Sequence, residues 1–360
     1  MKIDAWGNSK IEDYNHVFKE FGLEEFNYEN IVDHYLFKRK ILIAQRDFNK
    51  ISDAIKNKKP FLQLTGIASS GDLHLGHKLD IDFFNLFKNL GAKGKFCICD
   101  IDAYVSRPDS KVPSLDFAKK VAIKNVADII ALGVNPNDIY VQSQKEKEYY
   151  SFVFELSKKI SSNMFEGIYG HKDIGKISAV LLQIGDILHI QLPFMWGKNP
   201  TITGIGLEQD PHARITRDIS RELNYNLEVP SFFYFEHQSG LKEGSKMSSS
   251  EPSTAIFLKD SPAEVKRKIL NAFTGGKETL EEQKENGGNP EICKIYEIIR
   301  FHNPDSSFLE KTYTRCKEGK LNCGDCKKNC TAFLNNFLEN HQKRCKEAMN
   351  IAEKIVLGKQ

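Results

Sequence analysis

Short apolar runs alternate with helical patterns through the first half of the chain. Residues 61–67 (FLQLTGI) form an apolar run between Pro60 and a Ser/Gly loop, which predicts a buried strand. Similar runs predict strands over residues 95–101 and 139–142, and apolar positions at helical spacing predict helices over residues 73–90 and 115–132. The alternation predicts an α/β fold: a parallel, Rossmann-type sheet with crossover helices. Ligands of such sheets bind at the carboxyl ends of strands, here the loops after Leu64 and Cys99.

The character of the chain changes near residue 260. Pro262 opens a helical stretch that Gly pairs interrupt at 275–276 and 287–288, and helical patterns then continue to the end. We therefore expect an N-terminal extension over residues 1–60, mainly helical, a Rossmann-type catalytic domain over 61–260, and an α-helical domain over 261–360. The most apolar segment, 177–196, is interrupted by Gln183, Asp186, His189 and Gln191, so it predicts a buried helix and no membrane span.

The start of the chain predicts where the protein works, and the distribution of charge suggests a binding partner. No apolar leader precedes Tyr14, which predicts a cytoplasmic protein whose eight cysteines are reduced or metal-bound. Residues 1–260 hold 33 basic and 34 acidic side chains, whereas residues 261–360 hold 18 and 14. Residues 311–346 hold nine basic and three acidic side chains. This distribution fits phosphate contacts with a nucleic acid, and also an ordinary solvated helical surface.

The sequence His74-Leu75-Gly76-His77 follows the first predicted strand and opens a helix. Two imidazoles three residues apart lie on one side of a helix start, where free N–H groups and the helix dipole attract anions. Gly76 leaves the backbone open to a flat base. A pair of histidines that only caps the helix is the alternative. The motif therefore predicts either a nucleotide phosphate site or a simple cap.

A second motif, Lys246 to Ser250 (KMSSS), lies in a Gly/Ser-rich loop about 170 residues later. A lysine on such a loop can meet the charge that develops on a leaving pyrophosphate, although a lysine beside serines is usually only a surface loop. The two motifs together resemble the signature pair of the class I aminoacyl-tRNA synthetases. That resemblance implies that His74, His77 and Lys246 are catalytic and that the protein uses ATP together with Mg²⁺.

The resemblance extends from about residue 4 to 348 and is to the tryptophanyl-tRNA synthetases of the archaeal and eukaryotic kind. Residues 165–178, 206–220 and 272–290 are similar to segments of that family. The Gln-Asp-Pro sequence and the following Arg214-x-x-Arg217-Asp218 favour tryptophan over tyrosine as the substrate. The implied reaction is the ATP-dependent ligation of L-tryptophan to tRNA(Trp) by a homodimer, with residues 261–360 binding the anticodon stem.

Site residues transfer from the family position by position. The implied ATP-binding set is Ser69, Gly71, His74, Gly76, His77, Gly206, Glu208, Lys246, Met247 and Ser248. The implied tryptophan-binding set is Asp102, Gln183, Asp186, Gln209 and Gln238. A Gln-x-x-Asp pair also occurs in tyrosyl enzymes, so Gln183 and Asp186 do not discriminate.

Three positions depart from the family pattern. Ala68 replaces a proline, Glu208 replaces an aspartate that contacts the ATP ribose, and Leu64 replaces a tyrosine near the indole. The expected effects are a less rigid turn, a shifted ribose contact and a missing ring-edge contact.

Four cysteines have the spacing C-x22-C-x6-C-x2-C: Cys293, Cys316, Cys323 and Cys326. Gathered thiolates favour a soft metal, and spacing alone allows Zn²⁺, an iron–sulfur cluster or free thiols. The same spacing resembles a subset of tryptophanyl-tRNA synthetases that hold a [4Fe-4S] cluster. Cys330 adds an alternative, because it could replace Cys293 in a compact zinc site. Cys97 and Cys99 are predicted core residues.

Three other functions remain open from the sequence. A tyrosyl-tRNA synthetase shares most of the motifs. A small-metabolite adenylyltransferase also uses an HxGH turn but lacks a basic helical domain of this length. A synthetase-like binding protein without activity would have no need of the intact HLGH motif and Lys246.

Overall fold

The protein is represented by a computed structural model that describes residues 14–245, 247 and 251–358. This part of the chain contains seven strands: β1 Glu24–Glu25, β2 Leu42–Arg46, β3 Leu62–Ala68, β4 Lys93–Cys99, β5 Ile139–Val141, β6 Thr201–Gly206 and β7 Ser231–Phe235. Its α-helices are α1 Tyr14–Phe21, α2 Tyr35–Lys38, α3 Phe48–Lys56, α4 Leu75–Asn89, α5 Asp100–Ser106, α6 Leu115–Ala131, α7 Lys147–Leu156, α8 Ser162–Tyr169, α9 Ile174–His189, α10 Asp210–Glu222, α11 Pro262–Leu270, α12 Leu280–Asn286, α13 Lys294–His302, α14 Ser306–Lys317 and α15 Cys323–Leu357.

The strands form one mixed sheet in the order β1-β2-β7-β6-β3-β4-β5. The five strands from β7 to β5 are parallel to their neighbours, while β1 and β2 add antiparallel at the β7 edge. The predicted α/β fold with a Rossmann-type parallel sheet is confirmed. The predicted strands and helices of residues 61–142 all exist, with shifts of a few residues at their ends.

The order of the parallel strands explains where a ligand fits. From β3 the chain adds β4 and β5 on one side, then returns to add β6 and β7 on the other. The chain therefore reverses its direction of travel between β3 and β6, and a crevice opens there at the strand carboxyl ends. The HLGH motif follows β3 and the sequence Gly206 to Gln209 follows β6, so both motifs face this crevice.

Two sequence-based expectations need correction. Residues 100 and 101 were predicted as strand, but β4 ends at Cys99 and Asp100 begins α5. The Asp100 carboxylate accepts hydrogen bonds from the backbone N–H groups of Ile101 and Ser143, both at 3.0 Å, and so fixes the turn. Within residues 14–60 the N-terminal extension contains strands as well as helices, because β2 pairs with β7 and continues the sheet.

The C-terminal helices pack directly on the Rossmann fold. His341 of α15 is fully buried and its Nε2 lies 2.9 Å from Asp128 Oδ1 on α6. Arg344 donates to the Ala131 carbonyl at 2.9 Å, and Gln342 donates to the Leu258 carbonyl at 3.0 Å. One apolar core contains side chains of β4, α6 and α15. The helices after residue 261 therefore share a core with the sheet.

A search of the helices in the described ranges found none with the length and apolar character needed to cross a membrane.

Candidate active site

The HLGH motif forms the first turn of α4, with His74 as the N-cap. His74 Nδ1 accepts the backbone N–H of Gly76 at 3.1 Å, and His77 Nδ1 accepts the backbone N–H of His74 at 3.2 Å. A ring nitrogen that accepts carries no proton in the neutral imidazole, so the proton of each ring resides on Nε2. The capping role and the phosphate role are therefore compatible: Nδ1 caps the helix and Nε2–H remains a donor.

Both imidazoles are neutral at physiological pH. Burial and the neighbouring ring lower the pKa of His74 to about 2, and burial lowers the pKa of His77 to about 4. Their ring centroids are 4.0 Å apart, a separation at which two positive charges would repel strongly. A Cβ at Gly76 would lie 2.9 Å from the His74 ring, so glycine at this position also makes room for the first imidazole.

A cavity of about 560 Å³ adjoins the loop before α4. The predicted ATP residue Gly71 lines it, together with cationic side chains from three segments: Lys111, Lys259, Arg267 and Lys268. Ser69 is fully buried, and its Oγ has no hydrogen-bond partner among the described residues. Acidic side chains line the opening as well, and two of the cations are already paired, Lys259 with Asp72 and Lys268 with Asp260. Lys111 and Arg267 are therefore the candidates to meet a polyphosphate beside this helix start.

The residues after β6 form a second polar group at the crevice. Glu208 contacts His237, which follows β7. A Cβ at Gly206 would lie 2.3 Å from His237 Nε2 and 2.7 Å from the Glu208 carboxylate, so a larger residue here would displace both side chains. Burial raises the pKa of the nearby Asp80 to about 7. The extra methylene of Glu208 lets its carboxylate reach His237, a residue that sequence analysis did not single out.

A separate cavity of about 190 Å³ lies between β3, β4, β6 and α9. Four of the five predicted tryptophan-binding residues line it: Asp102, Gln183, Asp186 and Gln209. The departures Leu64 and Ala68 line it too, along with residues that sequence analysis did not assign to the site: Cys97, Cys99, Arg107, Thr203 and His212. Cys97 is a buried core residue as predicted, but it and Cys99 also contribute to this wall.

Asp186 is the most strongly hydrogen-bonded group of this pocket. Oδ1 accepts the hydroxyls of Tyr140 at 2.7 Å and Tyr149 at 2.6 Å, and Oδ2 accepts Gln142 Nε2 at 2.7 Å. Burial raises the pKa of Asp186, while its hydrogen bonds oppose the shift. The adjacent Gly185 allows α7 to approach, since a Cβ there would lie 2.6 Å from Val153. The close contact positions Tyr149 over the carboxylate.

Asp102 lies on α5 at the other side of the same pocket. Its carboxylate accepts the Ser106 hydroxyl at 3.0 Å, and its backbone N–H donates to Gln142 Oε1 at 3.0 Å. Burial raises the pKa of Asp102 to about 6, against the effects of Ser106 and Arg107. Gln142 thus connects the Asp186 carboxylate to the backbone of Asp102.

Gln238 is not brought together with the other predicted tryptophan-binding residues. It is buried against α13, where its Oε1 accepts from His302 Nε2 at 2.7 Å. Its Nε2 has no partner among the described residues. The expectation that Gln238 contacts the substrate came from its match to a glutamine of the family, and it stays a prediction. Gln238 faces the helices after residue 261.

Lys246, Ser248 and the next two serines lie outside the described residues, whereas Met247 is described and packs against the core shared with α15. The segment after this loop joins the HLGH turn, since Leu75 N donates to the Ile256 carbonyl at 3.0 Å and Leu258 N donates to the Leu73 carbonyl at 3.0 Å. The described segment that follows the KMSSS motif is thus attached to the HLGH turn.

The upstream end of the loop is attached to α13. Ser239 N donates to Glu297 Oε1 at 2.6 Å, and Lys294 Nζ donates to the Ser239 hydroxyl at 2.6 Å. Lys294 also pairs with Glu297 Oε2 at 3.2 Å. This group of three residues holds the beginning of the signature loop against the helical part of the chain.

Replacing Glu297 with glutamine is expected to slow amino-acid activation about tenfold and to leave amino-acid affinity unchanged. The amide keeps one acceptor oxygen and turns its NH₂ group towards the Lys294 ammonium, and a lost charge-assisted hydrogen bond is worth about 1.5–3 kcal/mol. The measurements are the single-turnover rate of amino-acid activation and the equilibrium Kd of the amino acid. Glu310→Gln, on the exposed face of α14, is the control. An activation rate equal to that of the control would show that Glu297 does not position the loop.

Acidification is expected to destabilise the fold between about pH 6.5 and pH 4. Burial lowers the pKa of six histidines in the described ranges: His34, His74, His77, His189, His212 and His302. Below a pH of about 6.5 these side chains take up protons when the chain is unfolded but not when it is folded. The unfolded state then binds more protons, so the free energy of unfolding falls as the pH falls.

Three carboxyl groups act in the opposite direction. Burial raises the pKa of Asp80 to about 7, the pKa of Asp102 to about 6 and also the pKa of Asp186, so these groups keep protons in the folded state that the unfolded state releases above about pH 4. Because six histidines outnumber three carboxyl groups, the net slope stays positive. Urea unfolding curves at several pH values test this, and a free energy of unfolding that stays constant or rises on acidification contradicts it.

The four spaced cysteines meet at the junction of three helices. Cys293 precedes α13, Cys316 lies in the last turn of α14, and Cys323 and Cys326 lie one turn apart at the start of α15. Burial raises the pKa of Cys326, and the other three thiols raise it further, so all four are mutual neighbours.

At two glycines the backbone passes close to these sulfurs. A Cβ at Gly276 would lie 2.6 Å from Cys323 Sγ, and a Cβ at Gly288 would lie 2.8 Å from Cys316 Sγ. Within the described residues, three ligand atoms approach within 4.8 Å of one another only at Cys97, Cys99 and Asp186, so these four thiols are spread more widely. Cys330 is fully buried, one turn beyond Cys326.

The chain that forms this crevice is similar to members of a known family. The model of the family described as tRNA synthetases class I (W and Y) matches residues 56–339. A tryptophan–tRNA ligase from Methanocaldococcus jannaschii is 37% identical, with 100% of this chain and 99% of that protein aligned. A tryptophan–tRNA ligase from Aeropyrum pernix is 35% identical, over 99% and 98% of the two chains.

Solved structures show the same likeness. The crystal structure of tryptophanyl-tRNA synthetase from A. pernix superposes with a TM-score of 0.88 at 35% identity and covers 98% of each chain. A parasite tRNA synthetase in a product-bound form superposes with a TM-score of 0.85 at 27% identity, over 95% of this chain and 96% of the other. The likeness covers both the sheet and the C-terminal helices.

Proposed function

The chain belongs to the class I tRNA synthetases that serve tryptophan and tyrosine, and we propose that within this family it ligates L-tryptophan to tRNA(Trp) with ATP. The observation that carries the proposal is the pocket lined by Asp102, Gln183, Asp186 and Gln209, which opens at the same sheet edge as the HLGH turn. Similarity to tryptophan–tRNA ligases along nearly the whole chain supports tryptophan as the amino acid.

The reaction has two steps. In the first, a carboxylate oxygen of tryptophan attacks the α-phosphorus of ATP, the bond to the β-phosphate bridging oxygen breaks, and pyrophosphate leaves with Mg²⁺. In the second, a terminal ribose hydroxyl of the tRNA attacks the acyl carbon and AMP leaves. Neither step needs a side-chain nucleophile, so positioning and charge stabilisation account for the catalysis.

The chain's own residues divide this work. The Nε2–H groups of His74 and His77 donate to phosphate oxygens and, being neutral, keep their donors over the physiological pH range. The Lys246 ammonium meets the charge on the departing pyrophosphate. Ser69, Gly71, Gly206, Glu208, Met247 and Ser248 complete the proposed ATP site.

The acceptor capacity of the pocket supports an indole substrate. A carboxylate has about four lone-pair positions, and Asp186 uses three for Tyr140, Tyr149 and Gln142. The fourth position meets the Cys97 thiol, a weak donor that the single N–H group of an indole can replace. A second carboxylate, Asp102, is available for the ammonium of the amino acid.

The test is ATP–pyrophosphate exchange with tryptophan and tyrosine separately, followed by charging of tRNA(Trp) transcripts. Exchange and charging with tryptophan support the proposal. Exchange with tyrosine alone would identify a tyrosyl-tRNA synthetase. Exchange with neither amino acid, together with retained ATP binding, would identify a binding protein without ligase activity.

For the cysteine group we propose a [4Fe-4S] cluster held by Cys293, Cys316, Cys323 and Cys326. Each cysteine of such a cluster binds a different iron, so its sulfurs lie farther apart than the sulfurs around a single tetrahedral zinc. The wide spread of these thiols and the glycines against two of the sulfurs fit the larger group. The cluster would connect α13, α14 and α15 through covalent bonds.

Replacing Cys326 with serine is expected to remove the cluster. Anaerobically purified wild-type protein should be brown, with about four irons and four sulfides per chain. Cys326→Ser should lose most of both, whereas Cys345→Ser, on the same helix but outside the set, should keep them. Colourless wild-type protein with one zinc per chain would refute the cluster, as would iron content equal in the two variants.

We also propose that tRNA binds the helical part of the chain, that the enzyme is a homodimer, and that it works in the cytoplasm. Exposed basic side chains along α14 and α15 support the first: Lys311, Arg315, Lys328, Lys343 and Lys346. The exposed apolar side chains Phe154 and Ile174 support a protein contact. Filter binding at several salt concentrations and sedimentation equilibrium are the corresponding measurements.

A further inference from the structure

Two thiols and a carboxylate converge in the wall of the amino-acid pocket. Cys97 and Cys99 are two residues apart on β4, so both side chains point to the same face of the sheet. Their sulfurs are 3.4 Å apart. Asp186 faces them from α9, and one ligand atom from each of the three residues lies within 4.8 Å of the other two.

From this geometry we propose a second function for the pocket: Cys97, Cys99 and Asp186 bind a thiophilic divalent cation of the Zn²⁺ and Cd²⁺ class, which excludes the amino-acid substrate. The metal-binding part stands on the three side chains alone. The part that concerns competition rests on the proposed tryptophan–tRNA ligase function.

The separations suit such an ion. Zinc–thiolate bonds of about 2.3 Å at a tetrahedral angle place two sulfurs about 3.8 Å apart, so these sulfurs need to separate by only about 0.4 Å. A disulfide does not fit as well. Its sulfurs are about 2.0 Å apart, and residues two apart on a parallel strand have Cα atoms about 6.6 Å apart, near the upper limit for that bond.

The surroundings hold the carboxylate in place. Tyr140, Tyr149 and Gln142 donate to Asp186, and partners of this kind orient metal ligands and sharpen their geometry. Gly66 pairs with Cys97 across the sheet, and its missing side chain leaves space beside both cysteines, because a Cβ there would lie 3.1 Å from Cys99 Sγ.

The donor set selects the ion. Two sulfurs and one carboxylate oxygen favour borderline and soft cations, whereas Mg²⁺ prefers oxygen ligands in octahedral geometry. Millimolar Mg²⁺, which accompanies ATP, therefore does not fill the site. Binding releases the two thiol protons to solvent, and the fourth coordination position faces the cavity and takes a water molecule.

The ion and the substrate share both Asp186 and the cavity of about 190 Å³. Simple competition then raises the apparent Kd of tryptophan by a factor of one plus the ratio of free ion to its own Kd. At a zinc concentration ten times that Kd, the apparent Kd of tryptophan is expected to rise about tenfold.

The first experiment titrates full-length wild-type protein and the Cys97→Ser/Cys99→Ser variant with CdCl₂ in the presence of excess MgCl₂. Thiolate–cadmium charge-transfer absorption in the ultraviolet reports the bound thiolates. Cysteines elsewhere contribute equally to both proteins, so the difference should correspond to one cadmium bound by two thiolates per chain. Identical titrations would overturn the metal site.

The second experiment measures tryptophan binding by equilibrium dialysis at rising ZnCl₂. The apparent Kd should rise with zinc in wild type and in the control Cys345→Ser, and stay independent of zinc in the double variant. A zinc-independent Kd in wild type would overturn the competition. Where the double variant binds no tryptophan, the single variants Cys97→Ser and Cys99→Ser replace it. If no form binds tryptophan, the proposed ligase function fails while the cadmium titration still decides the metal site.

Discussion

Replacing Lys246 with alanine is expected to slow formation of the aminoacyl adenylate by about 10²–10³-fold, while the Kd of tryptophan changes less than twofold. Removing one preorganised group that meets developing charge in a transition state typically has an effect of this size. The residues that line the amino-acid pocket include none from the described segments on either side of this loop, so the ground-state complex with tryptophan should not sense the lysine.

Both ends of the loop that carries Lys246 are fixed near the crevice. Ser239 is held by Glu297, and the strand-like segment around Ile256 is hydrogen-bonded to Leu75 of the HLGH turn. A loop attached at both ends beside the cation-lined cavity can bring an ammonium to the phosphates. The fixed ends are the structural basis for expecting an effect on catalysis.

The measurement is quenched-flow formation of the adenylate with ATP and tryptophan at saturation. Lys242→Ala removes the same charge from the same loop, where Lys242 pairs with Glu251 at 2.6 Å, and should change the rate less than threefold. Equal rates for Lys246→Ala and wild type would remove Lys246 from the mechanism.

Replacing Asp186 with asparagine is expected to weaken tryptophan binding by about 30-fold or more and to lower the free energy of unfolding by about 1–3 kcal/mol. The first effect follows from the loss of a charged acceptor, since a hydrogen bond to a charged group is worth about 1.5–3 kcal/mol. The loss of stability follows because buried donors that now bond the Asp186 carboxylate would lose an acceptor.

The partners of Asp186 explain why an amide cannot replace the carboxylate. The asparagine oxygen can still accept from Tyr140 and Tyr149, but its NH₂ group then meets the NH₂ group of Gln142. Rotating the Gln142 amide relieves that clash and turns a donor towards the backbone N–H of Asp102, which now donates to Gln142 Oε1 at 3.0 Å. Either arrangement leaves a buried donor without an acceptor.

Equilibrium dialysis of tryptophan and urea unfolding measure the two effects. Asp116→Asn, exposed in the first turn of α6, is the matched control and should leave tryptophan affinity unchanged. Wild-type affinity in Asp186→Asn would show that the acceptor lies elsewhere, with Gln183 and Asp102 as the remaining candidates. Reduced stability with wild-type affinity would confine Asp186 to a structural role.

The network around Asp186 also shows where reading the sequence reaches its limit. The position was singled out because an acidic residue on an apolar helix needs a compensating partner. The sequence contained no local signal for those partners, because Tyr140, Gln142 and Tyr149 lie on a different strand, on the loop that follows it, and on another helix. The same holds for His237, which reaches Glu208 only because β7 lies beside β6.

Gln238 shows what a match to a family position leaves open. That match predicted a contact with the substrate, and no contact with the pocket is seen among the described residues. Packing of α13 against the segment after β7 turns the side chain towards His302. Likewise, the boundary near residue 260 followed a real change in composition, yet α15 packs on α6 and the helices share a core with the sheet.

The sequence alone determined three strands of the parallel sheet, the two signature motifs and four polar residues of the pocket, because periodicity, turn chemistry and local motifs depend on neighbours a few positions away. Tertiary structure alone decided the tautomer available at each signature histidine, the partners of the buried acids and the meeting of Cys97 and Cys99 with Asp186. Those features depend on hydrogen bonds and contacts between elements distant in the chain, and only the order of the strands in the sheet brings such elements together.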